Sequence, residues 1–122
     1  MPRFVILRHE TPPGYERPTH FDLMLEWGEA LRTWALPAFP QVGESIGAEE
    51  LAPHRREYLD YQGEVSADRG TVTQAAAGEY ELIESASVLV YLKLSSPELS
   101  GTLRMDRSSP ESTVWSATFS NL

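Results

Sequence analysis

Thr19-His20-Phe21-Asp22-Leu23-Met24-Leu25-Glu26-Trp27 is the stretch whose reading decides the fold. Phe21, Leu23, Leu25 and Trp27 are apolar, His20, Asp22 and Glu26 are polar, and Met24 is the one exception to strict alternation. Alternation over this length marks a β-strand with one face in a core. Side chains two apart share a face, and each residue rises about 3.3 Å, so His20 and Asp22 stand side by side roughly 6.6 Å apart along the strand. From there an imidazole nitrogen and a carboxylate oxygen can converge on one divalent cation. The same pattern also fits a solvated strand face, so the rest of the chain has to decide.

Working outward, Arg3-Phe4-Val5-Ile6-Leu7-Arg8-His9 is near-continuously apolar and reads as a central strand. Glu10 to Pro18 carries Pro12, Pro13, Gly14 and Pro18 and reads as a loop, placed to cover the His20/Asp22 face. Gly28-Glu29 offers a tight turn into Ala30–Leu36, the expected hairpin partner. Ala48 to Ala52 is expected to form one helical turn, with Glu49 and Glu50 near its positive end. Further strands are expected at Leu59–Val65, Gly70–Gln74, Glu79–Glu84, Ser87–Leu94, Ser100–Asp106 and Thr113–Phe119, with turns at Ala75–Gly78, Ser95–Pro97 and Ser108–Ser112. About nine short strands with little helix predict a mainly β fold. The expected form is a compact, closed or partly open barrel of about eight or nine mostly antiparallel strands with a short helical turn.

Composition bounds the rest. The chain has 122 residues, which suits one domain spanning 1–122 and not two. Hydrophobic content is 41%, and no apolar run approaches the ~18 residues of a membrane span. Met1-Pro2-Arg3-Phe4 leads directly into a strand without the pattern of a signal peptide, so a cytoplasmic protein is expected, with no membrane partner. The absence of cysteine excludes disulfides and thiolate metal sites, leaving His, Asp and Glu as ligands. The formal charge is −8, from 18 acids against nine arginines and Lys93. Tracking a duplex through its phosphates normally needs the opposite balance, although one phosphate group can still be held locally.

Three histidines are available: His9, His20 and His54. If the first two strands are neighbours, His9 approaches the His20/Asp22 face, and a loop-borne His54 can reach the same place. A His-x-Asp pair with a remote His also fits the two-histidine, one-carboxylate site of non-haem iron oxygenases. That reading asks for a distal histidine well downstream, and none follows His54. There is no phosphate-cradling glycine loop and no Gly-x-Ser-x-Gly elbow.

The order of these motifs resembles the 3′-phosphoesterase domain of bacterial DNA ligase D. The resemblance is carried by Arg3-Phe4-Val5-Ile6 with His9, by His20-Phe21-Asp22-Leu23-Met24-Leu25-Glu26, and by Arg32-Thr33-Trp34-Ala35-Leu36-Pro37. A second block, His54-Arg55-Arg56-Glu57-Tyr58-Leu59-Asp60-Tyr61-Gln62-Gly63-Glu64-Val65, keeps the family's His, Tyr, Asp and Gly in register. Arg69-Gly70-Thr71-Val72, Leu99-Ser100-Gly101-Thr102-Leu103 and Trp115 extend it over nearly the whole chain.

The resemblance implies a metal-dependent hydrolase holding one divalent cation, typically manganese. Its work would be DNA repair by non-homologous end joining: removal of a 3′-ribonucleoside or 3′-phosphate from DNA ends, beside a separately encoded ligase or polymerase. It assigns His9, His20 and Asp22 as metal ligands and His54 and Tyr58 as contacts to the scissile phosphate. A small phosphoester in place of a DNA end, or a non-catalytic barrel that keeps a metal or phosphate site as a binding module, are the alternatives. The chain departs from the family in having Met24 where an arginine is expected, Ala38 where a lysine is expected, and Ser66-Ala67-Asp68 where a glycine-rich segment is expected. Arg8, Arg55, Arg56 and Arg104 are the arginines considered to supply the missing charge.

Overall fold

The computed structural model describes residues 1–121, and among them nine strands build one sheet that closes on itself. In chain order these are β1 (Arg3–Glu10), β2 (His20–Trp27), β3 (Ala30–Leu36), β4 (Ser45–His54), β5 (Gly63–Glu64), β6 (Thr71–Ala86), β7 (Leu89–Ser95), β8 (Ser100–Asp106) and β9 (Val114–Ser120). Pairing runs β1-β2-β3-β4-β9-β8-β7-β6, every strand pair in this circuit is antiparallel, and β6 returns to β1. The result is a closed eight-stranded barrel, with β5 as an extra strand on β6 and a single 3₁₀ turn at Arg56–Leu59. The mainly β barrel expected from strand spacing is therefore the fold. Closure leaves the barrel without a sheet edge along the β1–β6 seam, which is what makes a small all-β domain safe from edge pairing.

β1 and β2 show why the alternation had one exception. Phe4, Ile6, Leu23 and Leu25 point into the barrel, where they pack with Trp34, Leu92 and Trp115. The opposite face is not solvent. Val5, Leu7 and Met24 belong to a second buried cluster with Leu31, Leu59 and Val72, on the outside of the barrel wall. The chain between β4 and β6 lies over this outer patch, with Leu59 and the partly buried Tyr58 and Val65 packed down on it. Met24, 1% exposed, is apolar because it is the floor of that second layer.

Several local expectations are corrected. Ala48–Ala52 is not a helical turn but the middle of β4, paired to β3 on one side and β9 on the other. Barrel closure needs a strand there, and Ala48 faces the core while Glu50 accepts from Arg32 at 2.8 Å and from the Trp115 indole at 3.1 Å. The helical turn falls instead at Arg56–Leu59, and the strand expected at Leu59–Val65 shrinks to β5. Ala75–Gly78 is not a turn either: β6 runs unbroken for 16 residues, pairing with β1 through its first half and β7 through its second. The small residues serve close approach, since a Cβ on Gly78 would lie 2.1 Å from the Ser95 carbonyl oxygen.

Candidate metal centre

Antiparallel register brings the site together. His9 lies directly across from His20 in the β1–β2 ladder, and Asp22 is two residues farther along β2 on the same outer face. The two imidazole rings are 4.9 Å apart between centroids. One ligand atom from each of His9, His20 and Asp22 falls within 4.8 Å of the others. The group is sheltered, with side-chain exposures of 12%, 7% and 4% respectively.

The backbone fixes which ring nitrogen faces the carboxylate. His20 Nδ1 is 2.8 Å from the Pro18 carbonyl, so in the neutral ring it carries the proton, and Nε2 turns its lone pair toward Asp22 Oδ1 at 3.1 Å. His9 Nε2 is 2.6 Å from the Arg69 carbonyl, which leaves Nδ1 facing Asp22 Oδ2 at 3.5 Å. Anchoring the remote N–H of each imidazole on a carbonyl is the arrangement that orients histidine as a metal ligand. Asp22 Oδ1 is buried without a hydrogen bond among the described residues. Two imidazole lone pairs aimed at a buried carboxylate are stable only if a cation, either protons on the rings or a metal ion, lies between them.

The titration behaviour has the same cause. Burial pushes the Asp22 carboxyl up, but His20 and His9 outweigh it and hold it at about 2. The Asp22 carboxylate raises His9 above its ordinary value of 6.5, against burial, which lowers it, and with help from the Arg69 carbonyl.

Around this cluster lies a cavity of about 200 Å³ that His54 and Tyr58 also line, so all five residues singled out from sequence meet in one place. His54 ends β4 opposite Leu31, its Nδ1 3.0 Å from the Ala52 carbonyl, and its Nε2 has no hydrogen-bond partner among the described residues. The Tyr58 ring packs edge-on against the His54 ring, 5.7 Å between centroids. Met24 and Val72 contribute apolar wall, and Tyr15, Glu16 and Arg17 of the Glu10–Pro18 loop close one side.

The arginines considered in the sequence do not line the cavity. Arg8 pairs with Glu10, Arg55 with Glu57 at 2.9 Å, Arg56 with Glu26, and Arg104 with Asp106 at 3.5 Å. Arg17 and Arg69 line it instead, and sequence reading missed Arg69. Its signal was weak: one arginine in a polar stretch, beside a segment that looked degenerate.

Fold and site together define a closed antiparallel barrel with a two-histidine, one-carboxylate cluster on its outer wall, under an overlaid loop. No protein-family model matches the chain, and no curated protein matches it.

Proposed function

We propose that this chain is a metal-dependent phosphoesterase, with His9, His20 and Asp22 holding one divalent cation and His54 and Tyr58 facing the substrate phosphate. The observation that carries the reading is the orphaned, buried Asp22 Oδ1 with His20 Nε2 3.1 Å away and the remote N–H of both imidazoles anchored on backbone carbonyls. Nitrogen and carboxylate donors of this kind suit manganese, iron or zinc, and the resemblance to ligase D 3′-phosphoesterases favours manganese. When bound, such an ion neutralises charge on a phosphate oxygen and lowers the pKa of a coordinated water.

The protein's own groups do the rest. Pro18 and Arg69 carbonyls hold the imidazoles in the ligating orientation. His54 Nε2, free because Nδ1 is used by Ala52, is available to a phosphoryl or leaving-group oxygen, and the Tyr58 hydroxyl offers a second donor on the same wall. The covering loop and Met24 keep bulk water from much of the cluster.

The reading is tested by manganese-dependent release of phosphate from a DNA primer ending in a 3′-phosphate, with Asp22→Ala alongside. Activity requiring manganese and lost in the variant is expected. Activity that survives D22A overturns the ligand assignment. A second reading, a barrel that binds metal or phosphate without turnover, is favoured by Met24, which puts an apolar side chain where the family carries a cation. Tight manganese binding with no turnover on the 3′-phosphate primer or on a small aryl phosphate would select it.

A further inference from the structure

Eight of the nine arginines lie within 3.6 Å of a carboxylate oxygen. Arg69 alone has no such partner among the described residues, in a chain that carries 18 acids. It is exposed, and it lines the cavity of the His9/His20/Asp22 cluster. Its Nε donates to the Ser66 carbonyl at 2.8 Å and its Nη2 to Ser66 Oγ at 2.9 Å, which fixes the plane of the guanidinium. Nη1 donates to nothing among the described residues.

The backbone around Arg69 is held at a cost. Ala67 and Asp68 take φ of 63° and 54°, the left-handed region, which disfavours a residue with a Cβ by about 1–2 kcal/mol. Gly70 follows at φ 95°, and a Cβ there would lie 1.9 Å from the Glu10 carbonyl oxygen. Unfavourable backbone of this kind persists where surroundings over-determine it, and it concentrates at ligand sites. Here it presses the loop against the end of β1, so that the Arg69 carbonyl meets His9 while the side chain stays at the cavity mouth.

We propose that Arg69 is the oxyanion contact of this site: its free Nη1 binds a phosphate oxygen of the substrate and supplies the cationic contact that Met24 cannot give. The inference rests on the phosphoester reading above. Arg17, the other arginine on the cavity, is held by Glu49 at 2.7 Å and is not free to do this without breaking that pair.

Inorganic phosphate is titrated into the 122-residue chain by calorimetry, with and without saturating manganese. Wild type, Arg69→Ala, Arg69→Lys and Arg17→Ala are compared, and manganese affinity is measured separately for each. R69A should weaken phosphate by about tenfold or more, because a charge-assisted hydrogen bond is lost, and leave manganese affinity unchanged, because the carbonyl remains. R69K should fall between, since it keeps the charge and loses the Ser66 contacts that aim the guanidinium. R17A should bind phosphate nearly as wild type does.

Unchanged phosphate affinity in R69A overturns the inference. Loss of manganese and phosphate together also overturns it, because Arg69 would then be a structural support of His9. A wild type that takes up manganese and no phosphate does the same. A wild type that takes up no manganese sinks the metal centre alone; phosphate titrated without metal into wild type and R69A still judges Arg69. If R69A fails to fold, the R69K result decides.

Discussion

At the scale of single residues, the proposed metal centre would be a competition between protons and a metal. Asp22 is held at about 2 and is ionised throughout the neutral range, so it releases no proton when a cation binds. His9 is raised above 6.5 by Asp22, so a metal must displace a proton from its Nδ1. Manganese affinity should therefore climb with pH until His9 has lost its proton and then level off, with a limiting slope of about tenfold per pH unit below that point. The metal-free protein behaves oppositely. A raised histidine pKa contributes stability that is fully present below the unfolded value and lost as pH rises through the folded one. Thermal unfolding followed across neutral pH should thus show the metal-free form losing stability on the alkaline side and the manganese form keeping it. A pH-independent manganese affinity would mean that His9 is not a ligand.

At the scale of elements, β6 is the strand that makes closure possible, and Gly78 is the point at which it changes partner. A Cβ there meets the Ser95 carbonyl oxygen at 2.1 Å and Ser96 Cβ at 2.7 Å, so Gly78→Ala should destabilise by about 2–3 kcal/mol, as overpacking a fixed backbone contact does. Denaturant unfolding checks this; a neutral substitution would mean that the β6–β7 crossing is looser than drawn. The same stretch shows where sequence stops being legible. Ala75-Ala76-Ala77-Gly78 has the composition of a turn, and only the approach of β7 makes small residues a requirement of a strand. Ala48–Ala52 reads as helical for a similar reason, since Glu49 pairs with Arg17 of the loop before β2 and Glu50 with Arg32 of β3, both far away in the chain. By contrast β2, β3 and β8 were readable because alternation, a Gly-Glu turn and short length are local signals. That His9, His20 and Asp22 would come together was readable because β1 and β2 are consecutive antiparallel neighbours, which fixes His9 across from His20. Arg69 was not, because its meaning lies in what it fails to pair with.

At the scale of the whole molecule, charge decides which phosphates can be held. The net charge is −8, and among the described residues every arginine but Arg69 has a carboxylate oxygen within 3.6 Å. Glu16 stands on the cavity wall itself. On the phosphoester reading, a strand of nucleic acid laid beyond the cavity would meet a surface that repels it, whereas its terminal phosphate would meet the proposed metal centre and the Arg69 guanidinium. Binding should therefore depend on the end and not on the length. Short and long single strands carrying the same 3′-phosphate should bind with equal affinity. Each contact that releases a counterion contributes about −0.7 to the slope of log K against log salt for single strands, so a single Arg69 contact predicts a slope near −0.7. Fluorescence anisotropy across a salt series measures it directly with a protein carrying His54→Ala to slow turnover. A steep slope that grows with strand length would require a row of cationic contacts, which the distribution of ion pairs on this barrel does not provide.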